Sequence, residues 1–343
     1  MYSRIQRIAR FPRLVPAIKL SHRVTSQVNT GRLYCSATKD LYPTRENECK
    51  VLPRLDPVVW NNPDGKFDGP LSSAELQEYE KNGYLILKDL FSPEEMEPVI
   101  RECKAVQKSI ECNQYDIKTG EEAKIAMELN STKLRSYVYA HEDIESVKKL
   151  SRNAKLVNRA RQILADEVYI LQSRVNYHQA YVGQGISWHH DFDVFHADDG
   201  IPRMRALTFA VMLDKNTPET GATMLVPGSH RNFLTSLGPT PDNSWVLSIT
   251  SKSYAGIIEQ HMLTPVIESH GIEHATGDVG TVYLFDINTI HCNNVNVSPF
   301  NRVNVFLLYN SIKNKAIKPF SAPHPRRPEF IATKDNAVPI VPE

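Results

Sequence analysis

In the stretch Ser187 to Arg205, SWHHDFDVFHADDGIPRMR, imidazoles and carboxylates crowd behind a single Trp where a structural strand would be apolar. Its first chemical unit is His189-x-Asp191. Side chains on an extended strand alternate faces, so His189 and Asp191 share one face while His190 and Phe192 point away. One imidazole and one carboxylate, completed by a distant imidazole, make the facial triad that holds a non-haem iron and leaves adjacent positions open. His291 is the candidate third ligand. It follows the apolar run TVYLFDINTI, where a β-barrel places a residue facing its mouth. Arg302 stands eleven residues further on, directly before VNVFLLY. A guanidinium there can grip, bidentately, the far carboxylate of a dicarboxylate whose other end chelates the metal. A second HxD, His196-Ala-Asp198, runs into Asp199-Gly200, a turn signal that breaks the strand geometry such a pair needs. His190 is expected away from the metal, in a supporting or surface role.

The elements that must carry these residues change character along the chain. Before residue 165 helical patterns dominate. Ser72 or Ser73 caps a short helix that Asn82-Gly83 ends, and Ser92-Pro93-Glu94-Glu95 is a capping box opening a helix to about Glu111. Met96, Val99, Ile100, Cys103 and Val106 form its buried stripe, and a further helical pattern spans Ile144 to Leu164. From Val168 on, short β-prone runs at 168–177, 207–213, 222–230, 280–286 and 304–310 alternate with turn residues. This predicts a mainly β fold with flanking helices, in the form of a double-stranded β-helix, that is, a cupin-like jelly roll. Pro227-Gly228-Ser229-His230 reads as a turn, with His230 a hydrogen-bonding residue, and the segment 231–275 is a lid or an insertion. Residues 40–70, proline-rich and aperiodic, read as an arm lying over the body with Pro57-Val58-Val59-Trp60 as its anchor.

The chain has 343 residues, 41% hydrophobic and 23% charged, enough to bury a full core. No apolar run reaches the roughly 18 residues of a membrane span. Five cysteines without framework spacing suggest a reducing compartment. Residues 1–39 hold eight Lys and Arg and no acid; removing those eight charges from the formal +1 leaves −7, which argues against nucleic-acid binding. That Arg-rich start predicts a mitochondrial transit segment over 1–34 and a matrix location, with a cytoplasmic one as alternative, followed by a single domain over 35–343.

The whole pattern resembles the phytanoyl-CoA dioxygenase-like superfamily of Fe(II)/2-oxoglutarate oxygenases, and within it the ectoine hydroxylases. The likeness is carried by Gln172-Ser-Arg-Val-Asn-Tyr177, Trp188-His189-x-Asp191-Phe192, Asp199-Gly200-x-Pro202-Arg203-Met204-Arg205, Pro227-Gly-Ser-His230, Leu284-Phe285-Asp286-x-Asn288-Thr289-x-His291 and Arg327-Pro-Glu-Phe-Ile-Ala332. The resemblance implies His189, Asp191 and His291 as iron ligands and Arg302 at the far carboxylate of 2-oxoglutarate. It implies Asn176, Tyr137 and Asn293 beside that cosubstrate. Gln172, Phe285, Asn304, Phe306 and Arg327 (or Arg326) are implied at the substrate. Fe(II), 2-oxoglutarate and O2 are the implied reactants, with ascorbate a candidate reductant, and succinate and CO2 the coproducts.

The departures bear on the substrate. Where the ectoine hydroxylases have Ser between the first two ligands and Glu-Thr-Trp-His after the Phe, this chain has His190 and Asp193-Val194-Phe195-His196. Val194 loses a hydroxyl and Phe195 an indole N–H, which for a pocket-lining pair would shift specificity strongly. Together with the leader, this favours a free small cyclic amino acid, L-proline taken to trans-4-hydroxy-L-proline as in an animal-type L-proline trans-4-hydroxylase. Ectoine 5-hydroxylation is the runner-up, ahead of another small amino acid or an acyl-CoA. A non-enzymatic jelly-roll binding protein would have lost a ligand or the Arg. Homodimerisation is left open by the sequence.

Overall fold

The computed structural model describes residues 39–112, 124–129, 131–240, 257–324 and 331–343. The expected leader at 1–34, Arg327 and residues 241–256 of the 231–275 segment lie outside them. The arm runs from residue 40 through β1 (Val51–Pro53) and packs Val58, Val59 and Trp60 against the core, with the Arg205 guanidinium 4.1 Å from the Trp60 ring centroid. Helix α1 (Ser73–Asn82) starts at a capping box: Ser72 Oγ accepts the Glu75 N–H, and the Glu75 carboxylate accepts the Ser72 N–H at 2.8 Å. Gly83 ends it at φ 80°, where a Cβ would stand 2.3 Å from His230 Nδ1, so only glycine satisfies both the turn and the packing. After β2 (Tyr84–Leu87), α2 (Pro93–Glu111) repeats the device with Ser92 and Glu95 and buries Met96, Val99, Cys103 and Ile110.

Two short strands follow, β3 (Ile125–Met127) and β4 (Leu134–Val138). The helical pattern over 144–164 is not one helix. It belongs to α4 (Glu145–Arg152) and α5 (Ala154–Leu164), preceded by the single turn α3 (Ala140–Asp143). Asn153 makes the break, because its side-chain oxygen accepts the Lys155 N–H at 2.9 Å and so opens a new helix.

The remaining elements are β5 (Val168–His178), β6 (Ile186–His189), α6 (Asp191–Val194) continuing as a π-helical turn (Phe195–Asp199), β7 (Ala206–Met212), β8 (Thr223–Leu225) and β9 (Asn232–Leu234). Then come α7 (Gln260–His270), β10 (Glu273–His274), β11 (Val282–Asp286), β12 (His291–Asn293) and β13 (Arg302–Ser311). Among the described residues seven strands form one antiparallel sheet, ordered β2-β11-β7-β13-β5-β4-β3, four form a second, β10-β8-β12-β6, and β1 pairs with β9.

The jelly-roll expectation is therefore corrected. The protein is a mixed α/β fold with two large antiparallel sheets and flanking helices, and no strand pairing among the described residues closes either sheet into a barrel. Alternation along a strand reports which residues share a face and carries no information about which strand lies at an edge, so the patterning could not separate these arrangements. Val175, Tyr177, Phe209, Val211, Leu284, Val305 and Leu307 turn one face of the large sheet into the main core under the helices. The other face, one residue out of phase, carries the functional groups. No helix among the described residues is long and apolar enough to cross a membrane. Cys49, Cys103, Cys112 and Cys292 are free thiols.

Candidate active site

His189, Asp191 and His291 each present a donor atom within 4.8 Å of the others. β6 and β12 are antiparallel neighbours with His189 directly opposite His291, and their rings lie 4.2 Å apart, centroid to centroid. Asp191 reaches the same point by a different route than period-two alternation. The strand ends at His189, and Asp191 is the first residue of α6, capped by His190. His190 Nδ1 accepts the Asp193 N–H at 3.3 Å, and its Nε2–H donates to Leu234 O at 2.9 Å. Fully buried, His190 is thus the hinge of the strand-to-helix turn, not a surface residue.

The donor set fits a divalent iron. A backbone carbonyl only accepts, so His189 Nδ1, 2.8 Å from Ser187 O, and His291 Nδ1, 3.0 Å from Thr289 O, are the protonated nitrogens. Both Nε2 lone pairs are left for a metal, oriented as ligating imidazoles are. Burial keeps both rings neutral: His189 is pushed down to about 4, and His291 is lowered for the same reason. Asp191 Oδ1 lies 3.7 Å from His189 Nε2, and Asp191 Oδ2 accepts from Thr208 Oγ1 at 3.5 Å.

Arg302 fits the far end of a dicarboxylate. It is fully buried, its Nε has no partner, and burial lowers its pKa to about 10, which still leaves it a cation. With the amides oriented to satisfy both their ends, Asn293 Oδ1 accepts from Nη2 at 2.8 Å and Asn304 Oδ1 from Nη1 at 3.1 Å. Neutral amides orient a buried guanidinium without neutralising it, and a carboxylate would complete the site.

The cavity beside the three ligands is lined by Gln172, Arg174 and Asn176 of β5, Ile186 of β6, Thr208 of β7, Phe285 of β11, Asn293 of β12, and Phe306 and Leu308 of β13. Both sheets contribute, so the site lies between them. Of the residues expected at the cosubstrate, Asn176 and Asn293 are on this wall, and Arg302 stands behind Asn293. Tyr137 is not there. It is buried in the main core with its hydroxyl donating to Asp143 Oδ2 at 3.0 Å, and its neighbour Ser136, facing the other way on β4, donates to Asn176 Oδ1 at 2.9 Å.

Of the residues expected at the substrate, Gln172, Phe285 and Phe306 line the cavity. Asn304 serves Arg302 instead. Val194 and Phe195 do not line it: residues 191–199 are helical, which rotates Phe195 into the second core with Tyr42, Phe192 and Phe233. His196 of the second HxD stacks between Phe192 and Phe320 and contacts Asp40 at 3.1 Å, far from a ligand role. Arg174, Thr208 and Ser136 were missed. For Arg174 the signal was available, since 172, 174 and 176 share one face of any strand that contains them.

The Phytanoyl-CoA dioxygenase (PhyH) family matches residues 79–304. An ectoine dioxygenase of Sphingopyxis alaskensis is 39% identical over 300 residues, covering 86% of this chain and 94% of that protein. An ectoine dioxygenase of Streptomyces coelicolor is 38% identical over 298 residues, covering 86% and 95%. The crystal structure of EctD from S. alaskensis with 2-oxoglutarate and 5-hydroxyectoine superposes with a TM-score of 0.76 at 36% identity, covering 89% of this chain and 98% of that one; the form with bound Fe gives 0.75 at 35%. These relatives overturn the expectation of L-proline trans-4-hydroxylation. That expectation rested on the leader, which lies outside the described residues, and on Val194 and Phe195 reshaping the pocket, and neither of these two residues borders it.

Proposed function

We propose that this chain, which belongs to the phytanoyl-CoA dioxygenase family, hydroxylates ectoine or a closely similar cyclic zwitterion. It is an Fe(II)- and 2-oxoglutarate-dependent dioxygenase with a small-molecule substrate. The observation that carries the reading is the convergence of His189, Asp191 and His291 on one point of a cavity whose wall is backed by Arg302, a buried cation with no carboxylate partner among the described residues. When bound, Fe(II) would supply the redox chemistry by which O2 gives one oxygen atom to the substrate C–H bond, making C–OH, and the other to 2-oxoglutarate, which becomes succinate and CO2.

The protein's own residues do the rest. His189, Asp191 and His291 would hold the metal, and the carbonyls of Ser187 and Thr289 keep both imidazoles in the ligating tautomer. Arg302, with Asn293 and Asn304, would fix the distal carboxylate of 2-oxoglutarate and so its rotation about the metal. Asn176, held by Ser136, lies beside it. Phe285, its ring 4.7 Å from that of His291, and Phe306 give the cavity two apolar walls. Such faces exclude water and receive a delocalised amidinium, the cationic half of ectoine, through the ring quadrupole. Selectivity among C–H bonds then follows from which carbon these walls hold nearest the metal.

Incubating the full chain with Fe(II), 2-oxoglutarate, ascorbate and ectoine, and analysing products by mass spectrometry, tests the reading. Hydroxyectoine and succinate in equal amounts are expected. Succinate formation no faster with ectoine than without it would overturn it.

A further inference from the structure

We propose that Thr223 and Asn216 are positioning residues for Arg302: each holds one of the two amides that receive its guanidinium, and so sets the affinity for the far carboxylate of 2-oxoglutarate without touching it. This rests on the dioxygenase reading above and deepens it.

A guanidinium donates hydrogen bonds and accepts none. The faces that Asn293 and Asn304 turn to Arg302 are therefore their oxygens, Asn293 Oδ1 at 2.8 Å from Nη2 and Asn304 Oδ1 at 3.1 Å from Nη1. The two ends of an Asn amide are nearly alike in shape, so packing alone does not choose between oxygen and NH2. The wrong choice sets an NH2 against the cation. A second donor on each oxygen makes the choice.

For Asn293 that donor is Thr223. The two residues are directly opposite on β12 and β8, and Thr223 Oγ1 lies 3.2 Å from Asn293 Oδ1. A hydroxyl has one proton to give. With that proton committed to Asn293, the 2.8 Å contact between Thr223 Oγ1 and Tyr283 Oη runs one way, the Tyr283 hydroxyl donating. The direction Tyr283 to Thr223 to Asn293 is thus fixed by the cation at its end. It also crosses from β11 in the large sheet to β8 in the small one, tying the two sheets together next to Arg302.

For Asn304 the second donor is Asn216. The two amides pair reciprocally, Asn216 Nδ2 donating to Asn304 Oδ1 at 2.9 Å and Asn304 Nδ2 to Asn216 Oδ1 at 3.2 Å. Asn216 lies between β7 and β8 with its backbone held on both sides: its N–H donates to Gly277 O at 2.8 Å, and its C=O accepts the Gly277 N–H at 3.2 Å. Asn216, Thr223, Tyr283, Asn293 and Asn304 are all buried, so a lost partner leaves a polar group unsatisfied. Neutral groups aim the guanidinium, and its charge is left for a ligand.

The test measures, by calorimetry on the Mn(II)-loaded full chain, the Kd of 2-oxoglutarate and of 2-oxobutyrate, which has the same chelating end and lacks the far carboxylate. Wild type is expected to bind 2-oxoglutarate at least about 30-fold more tightly than 2-oxobutyrate. Thr223→Val keeps the side-chain shape and removes the donor. It is expected to raise the Kd of 2-oxoglutarate about 10-fold and to leave that of 2-oxobutyrate within about twofold, and Asn216→Ala to do the same. Thr223→Ser, which keeps the hydroxyl, is expected to bind both acids as wild type does. A general loosening of the site would weaken both 2-oxo acids together. That outcome, or a 2-oxoglutarate Kd within about twofold of wild type in both donor-lacking variants, or a Thr223→Ser as weak as Thr223→Val, overturns the proposal. An unchanged 2-oxobutyrate Kd also shows that a variant is folded, and if Thr223→Val does not fold, Asn216→Ala decides. Wild type binding the two acids equally would be a failure of the cosubstrate reading itself, and the positioning role would fall with it.

Discussion

Arg45 Nη2 lies 2.7 Å from Asp193 Oδ2, and both side chains are almost wholly buried, two residues past Asp191. Thr44 Oγ1 donates to the other oxygen of the same carboxylate at 2.6 Å. Further along the arm, Arg54 grips Asp286 with two nitrogens at 2.8 and 3.0 Å, on the strand that leads to His291. The N-terminal arm therefore braces both segments that carry the ligand triad.

Breaking the first brace should be costly. Asp193→Asn takes away the nearer of two carboxylates on the buried Arg45 guanidinium and leaves Asp198 Oδ1 at 3.9 Å, a loss of up to about 3–5 kcal/mol. Urea unfolding of the metal-free protein measures it. Because the Asp193 side chain, through Arg45 and Thr44, holds in place the helix whose first residue is Asp191, Mn(II) affinity should fall by about 10- to 100-fold. A variant as stable and as tight for Mn(II) as wild type contradicts the bracing role.

Arg302→Gln removes a buried cation that no carboxylate among the described residues neutralises. The cost falls on the cosubstrate, with a loss of about 2–5 kcal/mol, or a rise in the Kd for 2-oxoglutarate of roughly 30-fold to several thousand-fold. Mn(II) binding measured without 2-oxoglutarate should stay within about threefold, since Arg302 is not one of the clustered donors. Equal losses of both would mean that Arg302 supports the fold around the metal.

Phe195→Trp separates the core from the pocket. Phe195 is buried among Tyr42, Phe192 and Phe233, so the larger ring should destabilise by about 1–3 kcal/mol. The Kd for ectoine should remain within about twofold. A tenfold change in that Kd at intact stability would return Phe195 to the substrate wall.

His230 provides a pH signature. Burial, chiefly, pushes its imidazole down to about 4, with Arg54 and Arg231 adding to the effect and Asp286 opposing it. The unfolded chain binds a proton near 6.5, so the neutral ring contributes its full stability above that pH. The contribution is lost as pH falls from 6.5 toward 4, at up to about 1.4 kcal/mol per pH unit. His230→Gln should flatten the stability–pH slope in that window by this amount, read from urea midpoints. An unchanged slope would show that His230 titrates normally in the folded protein.

Much of the site was legible in the sequence because its chemistry is scarce. Two imidazoles and a carboxylate at HxD and at the end of an apolar run, with an Arg before the next strand, have few other uses, and the structure brings His189, Asp191 and His291 together with Arg302 behind Asn293. The capping boxes at Ser72 and Ser92 were legible too, since they are closed within four residues. Errors arose wherever a periodicity was carried past an unseen boundary. Strand alternation carried from His189 to Phe192 stops at His189, where His190 caps a helix, and that helix turns Phe195, given a pocket role by the resemblance, into the core. Alternation on β4 sets Ser136 and not Tyr137 against Asn176, a matter of register with β5 that no single strand contains. The sequence by itself determined which groups could bind iron and a dicarboxylate. Tertiary pairing alone decided which side chains wall the cavity, because a one-residue change of phase moves a side chain to the opposite face.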